Sequence, residues 1–194
     1  MAMTLDGTSG ITQMTGSIVM SGSTSGTTTI IPSAVAGTTT VTMPSATGTM
    51  MVSGNMPAFS VYRGSSDQSI TASTNTKVQL NTKEFDTASA FDSTTNYRFT
   101  PLVAGYYQIS GQVEATGTSV TRSFCVIYKN GSIYKIGNDG VQTSAYKSVV
   151  TALVYLNGST DYIELYGWIN GVSPAFYNGS GTGCYLTGVL VRGA

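Results

Sequence analysis

Glu84 and Asp86 stand two residues apart, the spacing that sends two carboxylates to one side of an extended strand. Such a pair is the minimum equipment for glycoside hydrolysis: one group protonates the leaving oxygen, the other acts as base or nucleophile. A second acidic pair, Asp161 and Glu164, falls on opposite faces of any regular strand. Little else supports catalysis. The chain has no histidine, which removes the usual general base, the histidine-paired nucleophiles and the commonest metal ligand. Cys125 and Cys184 are far apart and lack metal-ligand spacing. They read as buried thiols, or as a disulfide only if their strands are neighbours with suitable geometry. Asp67, Asp92 and Asp139 are isolated from one another. The expectation is solvated carboxylates at strand ends, with no enzymatic activity, no cofactor and no metal.

Composition points to assembly. Charged residues make up 9% of the 194-residue chain and cancel to a net charge of zero, against roughly 25% charged in ordinary soluble domains. Near-zero charge does little to oppose self-association. No basic stripe exists to neutralise phosphates, so nucleic acid is not an expected partner. No apolar run approaches the ~18 residues of a membrane span, and no basic segment leads into an apolar one as in a signal peptide.

The chain changes character near residue 57. In 1–56 the only charged side chain is Asp6, and there is no aromatic. Gly26-Thr-Thr-Thr-Ile30 is repeated eleven residues on as Gly37-Thr-Thr-Thr-Val41, and Gly48-Thr49-Met50-Met51 resembles a degraded third copy. Pro32 and Pro44 each follow a Thr run. Thr, Ile and Val favour extended chain, while Gly and Pro mark turns. Nothing here is large enough to fill a core alone, so 1–56 reads as an extended, β-fibre-like stalk or docking segment that orders on assembly.

Residues 57–194 read as an all-β jelly-roll sandwich of about ten strands. Ala58–Tyr62 is a first short strand, and Lys77–Leu80 turns Val78 and Leu80 inward. Gly105–Glu114 alternates Tyr107, Ile109 and Val113 against Gln108, Ser110, Gln112 and Glu114. Asn130-Gly131 between Ser123–Lys129 and Ser132–Ile136 has the residues of a tight hairpin. Asn157-Gly158 stands in the same way between Ser148–Leu156 and Asp161–Trp168, and Asn170-Gly171 and Asn178-Gly179 mark loops. Cys184–Val191 is the last strand.

The run Asn96-Tyr97-Arg-Phe99-Thr-Pro101-Leu-Val-Ala-Gly105-Tyr-Tyr107 resembles the signature of the globular head of the complement first-component q subunit, a branch of the tumour-necrosis-factor-like jelly rolls. Pro101 and Gly105 are one residue further apart here than is usual there. Tyr128-Lys-Asn-Gly131 resembles that family's hairpin, and Tyr185-Leu-Thr-Gly188-Val-Leu-Val191 its final strand. The resemblance covers about 57–194 and implies a homotrimer with its termini together at the stalk end. The stalk has no Gly-x-y period and so is not collagen; its Thr repeats look like bacteriophage tail-fibre sequence.

Tyr62, Tyr107 and Tyr185 lie in strands and are expected in the core or in trimer packing. Four connections fall at the end away from the stalk if the strands alternate up and down: 64–76, 115–121, 137–146 and 169–183. They carry Asn138, Asp139, Tyr146, Asn170, Phe176, Tyr177 and Asn178. Aromatic faces stack on sugar rings and amides hydrogen-bond to hydroxyls, so these are the candidate glycan contacts. The expectation is a virion protein, either a trimeric tail fibre or fibre tip that meets a host-surface glycan, or a trimeric capsid decoration protein. Residues 1–56 would bind other virion proteins.

Overall fold

The computed structural model describes residues 17–31, 33–34, 40–42, 45, 47–48, 50–140 and 146–194. The chain divides into two units, Met1–Gly48 and Thr49–Ala194. In the first, β1 (Ile18–Ser21) and β2 (Thr27–Ile30) pair antiparallel with Ile18 opposite Ile30. The Gly22 N–H donates to the Gly26 carbonyl at 2.8 Å, and Gly26 closes the turn at φ +77°, where a side chain would be strained. The first Gly-Thr-Thr-Thr unit is therefore a strand. All described residues of this unit are exposed, Ile18, Val19, Met20, Ile30 and Ile31 among them. Asp6, Pro32, Gly37–Thr39, Pro44 and Thr49 lie outside the described residues.

The second unit starts ahead of the change in composition. A short 3-10 turn at Ser53–Asn55 is tied by the Asn55 Oδ1, which accepts the Val52 N–H at 2.7 Å, and Met51 already packs on the core. The strands are β3 (Ala58–Tyr62), β4 (Gln68–Ser69), β5 (Thr76–Lys77), β6 (Thr82–Asp86), β7 (Phe91–Asp92), β8 (Arg98–Phe99), β9 (Gly105–Lys129), β10 (Ser132–Gly140), β11 (Tyr146–Leu156), β12 (Ile163–Phe176) and β13 (Tyr185–Gly193). The long β9 serves two sheets. Its first half pairs with β13 and β11, giving the order β6-β3-β13-β9-β11. Its second half lies between β10 and β12, whose other edge takes β4, β5 and β8 in turn. The crossover falls at Ala115–Thr121, expected as a loop but continuous strand here. Gly117 (φ +143°) makes the corner; a Cβ there would sit 3.0 Å from the Val172 carbonyl.

Alternation predicts which side chains the sandwich encloses. Tyr107, Ile109 and Val113 face inward as expected, as do Val78 and Leu80. At one end of the core Phe59 stacks on Phe99 at 4.2 Å and Phe99 meets Tyr107 edge-on at 5.5 Å. Gly188 lets β13 cross this cluster, since a Cβ there would lie 2.5 Å from the Phe59 ring. Asn130 (φ +52°) and Gly131 (φ +77°) turn the β9–β10 hairpin as the sequence predicts. Asn178-Gly179 lies in a loop as predicted, and the other two Asn-Gly pairs are not hairpin turns. Asn157-Gly158 joins β11 in one sheet to β12 in the other, with the Asn157 Oδ1 accepting the N–H groups of Ser159, Thr160 and Asp161. Asn170-Gly171 lies inside β12 at an irregularity in its pairing with β9.

Cys125 and Cys184 are both buried and unbonded, and burial pushes both thiols up to about 12. The carboxylates behave oppositely. Burial pushes Asp86 up, but the Phe91 N–H, the Lys83 ammonium and the Ala90 N–H outweigh it and hold it below the usual range. The Thr95 and Thr94 N–H groups and the Asn96 side chain hold Asp92 low as well. A carboxylate with a depressed folded pKa adds stability above its unfolded pKa of about 4, and that stability is lost as the pH falls through the folded value. With no histidine, the melting temperature is expected to be nearly flat from about pH 5 to 8 and to fall below about pH 4. Calorimetry from acid to neutral pH checks this; a transition near pH 6.5 would contradict it.

Candidate functional site

The connections at the end opposite the C-terminus are stitched together. Ser73 N–H donates to the Ile169 carbonyl at 2.8 Å, Ile70 N–H to the Pro174 carbonyl at 3.0 Å, and Tyr177 N–H to the Glu114 carbonyl at 2.9 Å. Arg63, only 6% exposed, donates to the Ser66 and Gln79 carbonyls at 2.6 and 3.1 Å. The predicted glycan contacts are mostly spent on this stitching. Asn138 donates to the Tyr146 hydroxyl and accepts the Val149 N–H. Asp139 accepts from Arg122 Nε and Nη2 at 2.9 and 2.7 Å. Asn170 bonds Thr121 and Ser73. Asn178 donates to Asp67 and caps the turn at Gly179–Gly181. Phe176, expected at the surface, is completely buried, because β12 runs on through it and its ring covers Gly167. Tyr177 remains 41% exposed.

The carboxylate pairs are also taken. Both oxygens of Asp86 are bonded, to the Ala90 and Phe91 N–H groups and to Lys83. Asp161 pairs with Lys129 at 3.0 Å, and Glu164, 4% exposed, lies against Lys77 at 2.5 Å. Of these four, only Glu84 keeps a carboxylate facing solvent without a cation. It is the extra residue of a β-bulge: Ser60 pairs with Phe85, but Val61 pairs with Lys83. Bulges re-aim side chains, and this one sets Glu84 on the Ser60 hydroxyl, which donates to it at 2.6 Å. With Tyr62, Tyr185, Thr187 and Gly181 they line a groove of about 220 Å³.

Of the three tyrosines expected in packing, Tyr107 is wholly internal, its hydroxyl donating to the Val103 carbonyl at 2.7 Å. Burial pushes that hydroxyl up to about 12. Tyr62 and Tyr185 are cross-strand partners and only half-buried. They share the outer face of the first sheet with a patch the sequence reading missed. β11 turns Ser148, Val150, Ala152, Val154 and Leu156 inward, yet Val149, Leu153 and Tyr155 point out and are 49, 53 and 41% exposed. Tyr106, Val189 and Val191 extend the patch over β9 and β13. Such an outward apolar row, on a strand that already has an inward one, is the kind of patch found at interaction surfaces.

The second sheet carries a different pattern. Phe124 stacks on Trp168 at 5.1 Å and Tyr128 on Tyr166 at 3.8 Å, each pair across β9 and β12. Arg122 lies over the first pair and Lys77 over Tyr166. Here ring faces meet one another and cations, so the ladder ties the two strands together.

No family model matches the chain, and no curated protein matches it. Solved structures do. The chain is similar to Eiger TNF from S. frugiperda, with 10% identity, a TM-score of 0.57, and 72% of this chain and 95% of that one covered. It is similar to murine APRIL at pH 5.0, with 12% identity, a TM-score of 0.55, and 70% and 99% covered. The fold is thus the TNF-like jelly roll. At this identity the likeness defines the fold alone; what the protein does must be argued from its own residues.

Proposed function

We propose that this chain is a non-enzymatic, homotrimeric virion protein of a bacteriophage, a tail fibre or fibre tip that attaches to the host surface. The observation that carries the assembly is the outward apolar patch of Val149, Leu153, Tyr155, Tyr106, Val189 and Val191 on a jelly-roll sheet. A three-fold ring buries one such face per subunit without leaving an open edge. The motif between Asn96 and Tyr107 supports the complement-like branch of this fold. Residues 1–56, with their Thr repeats and the exposed β1–β2 hairpin, are the segment that docks on other virion proteins. The attachment end is the stitched connections, where Tyr177 is exposed.

A second reading, a trimeric capsid decoration protein, is favoured by the near-absence of charge in 1–56, which suits a segment lying along capsid subunits. Imaging of the intact particle separates the two. A few trimers at the tail support attachment; a regular lattice of copies over the shell overturns it in favour of decoration.

A further inference from the structure

The β1–β2 hairpin has two unlike faces. Residues opposite one another in an antiparallel pair share a face, and the register sets Ile18 against Ile30 and Met20 against Thr28. Ile18, Met20 and Ile30 therefore share one face with Thr28, while Val19, Ser21, Thr27 and Thr29 form the other. The first face is aliphatic apart from one threonine. Its three large side chains, Ile18, Met20 and Ile30, are 44, 47 and 51% exposed. Among the described residues nothing covers them, since residues 18–30 are all exposed. Two strands alone are marginal in water, and a hairpin persists when its apolar face is packed.

Charge and area say what packs on it. No charged residue lies between Asp6 and Arg63, so the face has no electrostatic mark by which a different protein could be selected or oriented. Three half-exposed side chains also fall far short of the roughly 1,000 Å² that a stable interface between separate proteins buries. That threshold does not apply to copies already joined. Chains held together by their heads present their hairpins to one another at about millimolar effective concentration, where a small apolar contact suffices. We propose that the Ile18, Met20 and Ile30 face of each hairpin packs against the same face of the other two copies, a second and smaller three-fold contact within the stalk. The inference rests on the homotrimeric reading of the head. It leaves Val19, Ser21, Thr27 and Thr29 as the face that meets other virion proteins.

The test uses the full chain with one introduced cysteine, Met20→Cys on the apolar face or Thr29→Cys on the other, oxidised with diamide. Cys125 and Cys184 are buried and stay out of the reaction. Non-reducing electrophoresis is expected to show linked chains from Met20→Cys about tenfold faster than from Thr29→Cys. Adding Ile30→Asp to Met20→Cys is expected to slow linking about tenfold, while light scattering still gives the mass of three chains. Equal rates at the two positions, or a rate that Ile30→Asp leaves unchanged, in a protein of three chains overturns the contact and gives the apolar face to a virion partner, with the trimeric head intact. A mass of one chain overturns the trimeric reading, and the contact with it.

Discussion

Replacing Tyr107 with aspartate leaves the chain unable to fold. The side chain is fully buried, its ring meets Phe99 edge-on at 5.5 Å, and its hydroxyl bonds the Val103 carbonyl at 2.7 Å. Phe99 in turn stacks on Phe59, and Phe59 on Phe91 at 5.7 Å. Truncating a buried aromatic side chain costs about 3–5 kcal/mol. Aspartate adds a charge with no cation beside it, or a protonated acid in a space shaped for a ring. The sum matches the whole stability of an ordinary domain, about 5–15 kcal/mol. Tyr107→Phe separates the contributions. It keeps the ring and loses one hydrogen bond, so urea unfolding is expected to show a loss of only about 1 kcal/mol. A soluble Tyr107→Asp protein with a normal melting temperature would show that β9 is not the centre of the core.

Leu153→Asp has the opposite signature: the head folds and the assembly fails. Leu153 projects from β11 away from the core and is 53% exposed, between Val149 and Tyr155 on the same face. In the monomer a charge there is solvated and costs little. In a ring of three it is buried once per subunit against an apolar neighbour. Losing one buried Leu contact removes about 1.5–3 kcal/mol per interface, before the cost of desolvating the charge. Each 1.4 kcal/mol is about tenfold in association, and three interfaces compound it. Light scattering should give the mass of one chain with native circular dichroism. A Leu153→Asp protein that stays associated would show that this face is not the contact.

Most of the head was legible because its strands alternate. Gly105–Glu114 puts Tyr107, Ile109 and Val113 on one side, and the core follows. Asn130-Gly131 named its hairpin, because only a tight turn uses two successive positive φ angles. At Asn157 the same dipeptide lies between the two strands that the sequence predicts, but its side chain caps a loop that crosses between sheets. It misled at Asn170, inside β12. Local turn chemistry says where a chain can bend, but not which strands the bend joins. The crossover in β9 was hidden for a related reason: Ala115–Thr121 is polar and Gly-containing like a loop, and only its pairing with β12 keeps it extended.

The candidate site was less legible. In the sequence Asn138, Asp139, Asn170 and Asn178 are polar residues of connections, but each is bonded within the protein. The spacing of Glu84 and Asp86 puts them on one side of a regular strand, whereas the bulge that separates their roles has no mark in the sequence. The outward apolar row of β11 does have one. In Val149-Val150-Thr-Ala-Leu153-Val-Tyr155 the apolar residues do not alternate with polar ones, which is the pattern of a strand covered on both faces.

The central claim is that three heads close around the outer face of the first sheet. Its most direct test is the mass of the full chain in solution, by light scattering at several concentrations. The account predicts a single species of three chains. A monodisperse monomer at every concentration would contradict it.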